Sequence, residues 1–262
     1  MILTLDIGNT TFHGGIFKDE DLIFQFRKTS QTRGSSDEIG VFLKTVLTTN
    51  GIDPDDIKEI SICSVVPDAV YFVRNACIKY FNITPFELKA GVKTGLKILY
   101  RNPLEVGADR IANSIAATQR FPDQNLIIVD FGTATTFCVI NKKREYMGGI
   151  IVPGINISME SLVQKTAKLQ AVEIVERQKV IGRTTAASIQ SGLYFGQIGI
   201  INEIVQRVTN EAFGGERPLI IGTGGFSILF SNANLFDDVI PDLALLGLRE
   251  AFYMNQERSE KK

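Results

Sequence analysis

The sequence predicts an α/β protein built from two related halves. Three observations carry that expectation. Apolar, strand-like runs alternate with helix-patterned segments along the chain. The stretch Leu5-Asp6-Ile7-Gly8-Asn9-Thr10-Thr11, which follows the apolar run from Met1, returns as Val129-Asp130-Phe131-Gly132-Thr133-Ala134-Thr135-Thr136 after the run from Leu126. Placing Asp6 on Asp130 also places Gly8 on Gly132 and Phe12 on Thr136. A shared pattern at this distance points to a duplicated unit, with the two halves facing each other across a cleft. Finally, 262 residues with 44% hydrophobic and 22% charged content suit one large or two modest globular domains. The expected division is 1–118 and 119–262.

The elements follow in order. Met1 to Leu5 reads as a buried strand, and the hairpin it opens returns through Gly15-Ile16-Phe17. Leu22 to Arg27 alternates as a strand does. Thr29 to Ser36 is a polar loop, after which Ser35 and Glu38 form a capping box for a helix through Leu47, closed by Asn50-Gly51. Ile57 to Val66 is a strand stopped by Pro67, and Asp68 to Phe81 has helical spacing. A helix begins at Asp109, with Ile111, Ala112, Ile115 and Ala116 on one apolar face. After the second hairpin, Tyr146 to Gly154 reads as a buried strand between glycines, and Asn156 to Lys165 as a helix. A long helix starts near Thr184 and reaches Phe213, with Gly192, Gly196 and Gly199 offering close approach to a neighbour. Pro218 to Phe226 is a strand entering a glycine loop and then a helix, and Leu243 to Tyr253 is the closing helix. Ser259 to Lys262 reads as a frayed tail.

Several chemistries are excluded. A net charge of −1 gives no electrostatic argument for nucleic acid or an anionic membrane. No apolar run approaches the ~20 residues needed to span a bilayer. The first strand begins at Met1, with no charged leader, so a cytoplasmic location is expected. Cys63, Cys77 and Cys138 form no C-x-x-C pair and read as buried free thiols. His13 stands alone among histidines, which leaves no ordinary histidine-centred triad, although it could lie beside a nucleotide. The P-loop, the G-x-G-x-x-G fingerprint and the protein-kinase set are all missing.

What remains is a phosphate grip built from strands. A hairpin tip carrying a carboxylate, a glycine and small hydroxyl or amide side chains suits phosphate and its magnesium. Between the hairpins, Tyr100-Arg101-Asn102-Pro103 leads to Gly107-Ala108-Asp109-Arg110. Asp109 falls in a first helical turn, where the macrodipole favours the ionised form, and an ionised carboxylate can take a proton from a substrate hydroxyl. The alternative is a plain capping aspartate beside an exposed arginine. The glycine loop at 222–225 could let an adenine or ribose lie against bare backbone, or could be an ordinary tight turn.

The set Asp6-Ile7-Gly8-Asn9-Thr10, Ser64-Val65-Val66-Pro67, Gly107-Ala108-Asp109-Arg110, Asp130-Phe131-Gly132-Thr133-Ala134-Thr135 and Gly148-Gly149-Ile150-Ile151-Val152-Pro153-Gly154 resembles the type III pantothenate kinases. The motifs stand in family order from the first strand to about Gly225. The resemblance implies two ribonuclease H-like, actin-like ATPase domains with mixed central sheets and an interdomain cleft. It implies ATP-dependent phosphorylation of pantothenate to 4′-phosphopantothenate, the first step towards coenzyme A. By that likeness Asp6, Ile7, Gly8, Asn9, Thr10, Thr11, Phe12, His13 and Thr133 contact ATP, and Asp6 helps to hold magnesium. Asp130 coordinates a monovalent cation, potassium or ammonium. Tyr100, Gly107, Ala108, Asp109, Arg110 and Thr185 bind pantothenate, with Asp109 as base. The likeness also implies a homodimer whose partner helps to complete the substrate pocket.

Elementary chemistry agrees. Phosphoryl transfer asks for positioning and charge neutralisation rather than covalent help. Asp6 and Asp130 offer hard oxygen ligands, and Arg110 a fork for the pantothenate carboxylate. Two alternatives stand beside this reading. One is a kinase or phosphatase of the same superfamily acting on another small alcohol or carboxylate. The other is a nucleotide-gated accessory protein without turnover.

Overall fold

A computed structural model gives the fold and describes residues 1–30, 34–166 and 169–256. The expected polar loop lies partly, and the expected tail wholly, outside the described residues. The chain runs β1 (Ile2–Ile7), β2 (Thr11–Lys18), β3 (Asp21–Thr29), α1 (Ser36–Thr49), β4 (Glu59–Ser64), α2 (Pro67–Phe81), β5 (Phe86–Glu87), β6 (Lys97–Ile98) and α3 (Ala108–Arg120). It continues with β7 (Leu126–Phe131), β8 (Ala134–Ile140), β9 (Glu145–Pro153), α4 (Ile155–Lys165), α5 (Thr185–Phe213), β10 (Leu219–Gly224), β11 (Asp238–Val239) and α6 (Leu243–Gln256).

Two compact units result. The first comprises Met1–Gly95, Arg101–Ala116 and the chain from Leu243; the second comprises Leu96–Tyr100 and Ala117–Asp242. The first unit's sheet has the order β3-β2-β1-β4-β5, with β1 antiparallel to β2 and parallel to β4. The second has the order β11-β10-β7-β8-β9-β6, with β7 antiparallel to β8 and parallel to β10. Counted from β1 and from β7, the first five strands of each unit have the same spatial order and the same directions. The duplication legible in the hairpins is therefore a duplication of whole sheets.

The central strands explain why these residues fold so. β1 and β7 are nearly continuous apolar runs, as strands covered on both faces must be. In each, the aspartate alone is half-exposed, one residue before the strand ends. Side chains alternate across a sheet, so Leu3, Leu5 and Ile7 meet Leu43 and Leu47 of α1 and Val73 and Cys77 of α2. Ile2 points the other way and packs with Phe17, Leu245 and Phe252. Asp6, an even position like Ile2, thus belongs to the face covered by α6. The same face receives Ser61, whose hydroxyl donates to the Leu248 carbonyl at 2.9 Å.

That packing moves the expected boundary. α6 completes the first unit's core instead of closing the second, because Ile2 and Phe17 would otherwise face water. In the second unit, Ile127, Val129 and Phe131 pack under Ile189, Leu193 and Tyr194 of α5. Phe131, Phe230 and Tyr194 form a continuous stack, with ring centroids 4.9 and 5.2 Å apart.

Local signals held where side chains act within a few residues. Ser35 and Glu38 form the reciprocal capping box of α1, and Pro67 opens α2 from its first turn. Other expectations need correction. β9 is not a buried strand: its faces alternate, and Ile151 is 62% exposed. The segment after Gly225 is a 3-10 helix, Ser227–Ala233. α3 is buried beyond one apolar face, enclosing Arg110, Asn113, Ser114 and Thr118 as well as Ile115. The two-residue strands β5, β6 and β11 are too short for any periodicity to announce.

α3 and α6 cross where Gly247 meets the backbone of Ala112, leaving no room for a Cβ. A Gly247→Ala substitution gains about 1 kcal/mol of helix propensity, while overpacking typically costs about 1–3 kcal/mol. The rigid backbone partner makes the second effect win. Gly247→Ala is therefore expected to lower the urea midpoint; a midpoint at or above wild type would show that the helices separate freely.

Candidate active site

In the first unit the hairpin tip is fixed from both flanks. Gly8 N–H donates to the Thr11 carbonyl at 2.9 Å, closing the turn. Just past β3, the Ser30 hydroxyl donates to the Gly8 carbonyl at 2.6 Å and the Ser30 N–H to the Thr10 carbonyl at 2.8 Å. At the end of β4, the Ser64 hydroxyl and the N–H of the following Val65 both donate to the Ile7 carbonyl, at 3.2 Å each. Asn9, Thr10 and Thr11 are left exposed at the tip. Ile7 and Phe12 are core residues, so only their backbone can serve a ligand. His13 is buried, with Nε2 3.1 Å from Oε1 of Gln25.

Strand register builds a row behind the tip. Asp6 pairs with His13 on β2 and with Cys63 on β4. Directly paired residues share a sheet face, so the carboxylate lies between the imidazole and the thiol. The Cys63 S–H donates to Oδ1 of Asp6 at 3.2 Å. Burial pushes the Cys63 thiol well up, and the charges of Asp6 and Asp109 push it further. The thiol therefore stays protonated, and both carboxylates lie within its electrostatic reach.

Asp109 sits in the first turn of α3, whose start is prepared by a 3-10 turn at Pro103–Glu105 capped by Asn102. The Gly107 carbonyl accepts from Ile111 N–H at 3.1 Å, and Oδ1 of Asp109 accepts from Arg110 N–H at 2.7 Å. Burial raises the Asp109 carboxyl above the ordinary range, against the lowering by that N–H and by the Arg110 charge. The expected effect of the helix dipole is therefore outweighed by loss of water. Arg110 is 6% exposed, which removes the alternative of a solvent-facing arginine.

In the second unit Asp130 occupies the place of Asp6, and Thr133 is exposed at the tip of the β7–β8 hairpin. Two glycines admit their neighbours here. A Cβ on Gly154 would strike the carbonyls of Gly132 and Thr133, so the start of α4 lies against the tip. Gly224, with φ of +85°, leaves its Cβ space to Oδ1 of Asp130 and the backbone of Phe131. Tyr100 lies beside Gly148 and tilts on Tyr146 at 6.4 Å between ring centroids. Thr185 is exposed in the first turn of α5, next to the capping Thr184. The expected substrate residues thus divide, with Gly107 to Arg110 in the first unit and Tyr100 and Thr185 in the second.

Sequence reasoning missed Ser30 and Cys63 and assigned no role to the Ser64 hydroxyl. Ser30 has no motif of its own. Cys63 adjoins one, and only its pairing with Asp6 gives it meaning.

Among the described residues, no cluster of three His, Cys, Asp or Glu side chains could hold a metal alone. Magnesium is commonly bound through one or two carboxylates together with phosphate oxygens, so Asp6, at the end of β1 behind the hairpin tip, is a fitting donor for a cation that arrives with a nucleotide. Asp130, beside the bare backbone of Gly224, offers a hard oxygen in the second unit.

The family model described as type III pantothenate kinase matches residues 2–207. A type III pantothenate kinase of Legionella pneumophila (strain Corby) is 54% identical over 255 residues, covering 97% of this chain and 99% of the relative. Among solved structures, a protein of Campylobacter jejuni assigned to the Baf family of transcriptional activators aligns with a TM-score of 0.62 at 17% identity, covering 97% and 99% of the two chains. One of Sinorhizobium meliloti assigned as a 2-dehydro-3-deoxygalactonokinase gives a TM-score of 0.58 at 11% identity, covering 97% and 96%. At these identities the two structures speak for the fold alone.

Gly107 generates a prediction. A Cβ there would meet Oδ1 of Asp109, the far end of a side chain that can move. Gly107→Ala is expected to fold normally while pushing the carboxyl towards water, so that Asp109 titrates nearer the ordinary carboxylate range. An NMR titration identical to wild type would show that the methyl group is accommodated elsewhere.

Proposed function

The chain belongs to the type III pantothenate kinase family, and we propose that it performs ATP-dependent phosphorylation of pantothenate with Asp109 as the general base. The observation that carries this reading is the setting of Asp109. It is a carboxyl at a helix start, raised by burial, within reach of the same thiol that contacts Asp6. A base works best when its pKa lies near the working pH, and burial moves Asp109 in that direction.

In the proposed reaction Asp109 accepts the proton of the pantothenate primary hydroxyl. That oxygen forms a bond to the γ-phosphorus as the bond from phosphorus to the β–γ bridging oxygen breaks, and the electron pair leaves with ADP. Gly8 to Thr11 and Thr133 supply backbone and hydroxyl donors for phosphate oxygens. Asp6 holds the magnesium that accompanies ATP; when bound, that ion neutralises phosphate charge. Asp130 holds a potassium or ammonium ion, and Arg110 orients the pantothenate carboxylate. Tyr100 and Thr185 are further pantothenate contacts.

The reading extends to assembly and location. Gly192, Gly196 and Gly199 lie along an exposed side of α5, with open space where each Cβ would be, and Ile200 is exposed beside them. Such a surface supports a homodimer. A cytoplasmic enzyme is consistent with the described residues, where no helix is long and apolar enough to cross a membrane.

The test follows ADP release from purified protein and magnesium-ATP. Release should require pantothenate and should be faster in potassium or ammonium buffer than in sodium. Release that ignores pantothenate, or that responds better to another small alcohol, would replace the substrate. Asp109→Asn should lower kcat by about 10²–10⁴-fold, and Arg110→Ala should raise KM for pantothenate.

The raised pKa also fixes a sign. The folded state binds the Asp109 proton more tightly than the unfolded state, so this group's contribution to stability falls as pH rises from the ordinary carboxylate range through the folded pKa. At neutral pH, where the charge sits partly desolvated, Asp109→Asn should therefore melt no lower than wild type while losing turnover. For wild type, the acid limb of kcat/KM should lie above the ordinary carboxylate range. A variant that loses activity and melts well below wild type would assign Asp109 a structural role.

A further inference from the structure

The two peptides that flank Gly8 are fixed by different means. In the first, the Ile7 carbonyl accepts from Ser64 and Val65 while the Gly8 N–H donates to the Thr11 carbonyl, so the neighbouring strands hold it at both ends. The second, Gly8–Asn9, has its carbonyl held by the Ser30 hydroxyl at 2.6 Å. The peptide is trans, and a planar trans peptide points its N–H opposite to its carbonyl. A carbonyl drawn to Ser30 therefore turns the Asn9 N–H away from Ser30, at an exposed residue of the tip. The serine is anchored independently of its hydroxyl, because its own N–H donates to the Thr10 carbonyl at 2.8 Å.

We infer that Ser30 is a positioning residue: its hydroxyl sets the Gly8–Asn9 peptide so that the Asn9 N–H, and not a carbonyl oxygen, is presented to the phosphates of ATP. The inference rests on the reading of Gly8 to Thr11 as phosphate donors. The residues at the two ends of this peptide explain why it needs such a hold. Glycine takes positive φ about as readily as negative, and asparagine is among the few other residues that visit the left-handed region. The peptide can therefore turn over at little steric cost, and the inverted form would aim a carbonyl dipole at an anion. A hydroxyl on the carbonyl side fixes the sense of the peptide; the methyl group of an alanine at 30 would not.

The test separates the contribution of the phosphates from that of the nucleoside. Affinities for ATP and for adenosine are measured by calorimetry on the full chain, and their ratio isolates what the phosphates add. Ser30→Ala should shrink that ratio by about three- to tenfold, the scale of one net hydrogen bond, while the affinity for adenosine stays at the wild-type value. Unchanged adenosine binding also shows that the variant is folded. Ser30→Thr keeps the hydroxyl and should restore the ratio. A wild-type ratio in Ser30→Ala would overturn the inference, and so would an equal loss in the Thr and Ala variants. Loss of adenosine binding along with that of ATP would mark Ser30 as a structural residue and overturn it too. A wild-type protein that binds adenosine as tightly as ATP would remove the reading of the hairpin as a phosphate grip, and the inference with it.

Discussion

Two strands buried on both faces, each with one carboxylate near its end, impose the constraint from which the rest of the site follows. Burying an unpaired charge is costly, so β1 and β7 can carry Asp6 and Asp130 only where the sheet gives way to a hairpin turn. That placement also determines what surrounds them. Period-two alternation sends Asp6 to the α6 face, away from the helices α1 and α2, and register sets His13 and Cys63 on either side. In the second unit the equivalent carboxylate abuts a glycine with positive φ, because no side chain fits beside it.

Much of this was legible in the sequence for a definite reason. Central strands and hairpin tips are specified by residues close together in the chain, so a repeated pattern of apolar run, acid and glycine identifies both sheets. The C-terminal helix was not legible in the same way. Leu245 and Phe252 find Ile2 and Phe17 across almost the whole length of the chain, and an amphipathic helix carries no sign of which sheet it will cover. The boundary expected at 118/119 follows the repeat; the observed units follow the burial of apolar surface.

The site divides along the same line. Gly107, Asp109 and the hairpin acids announce themselves as a set: a glycine beside a carboxylate also serves turns and helix caps, but the repeat of the pattern in both hairpins marks it out. Ser30 and Cys63 do not, since a serine at the end of an exposed strand and a cysteine in an apolar one are ordinary occupants of such places. Their hydrogen bonds reach partners 22 and 57 residues away. Residues that touch ligand tend to form local motifs. Residues that hold them in place are distributed by the sheet.

Asp109 shows where local reasoning gives the wrong sign. A first-turn position suggests stabilisation of the charged form, worth typically about 0.3–1 kcal/mol at exposed sites, less than the ~1.4 kcal/mol that makes one pKa unit. Desolvation can move a fully buried carboxyl by about 3–5 units, and here it prevails over both the Arg110 N–H and the Arg110 charge. Those two lowering influences still matter. Without them burial would hold the proton on Asp109 more tightly, leaving less of the ionised form to act as base. The enclosed arginine next to the acid would thus act in two ways in the proposed reaction: its charge limits how far burial raises the carboxyl, and its fork would meet the carboxylate of pantothenate. Tuning the acid and recognising the substrate would fall to adjacent residues on a single helical turn, which is why α3 has to be held as firmly as the crossing at Gly247 holds it.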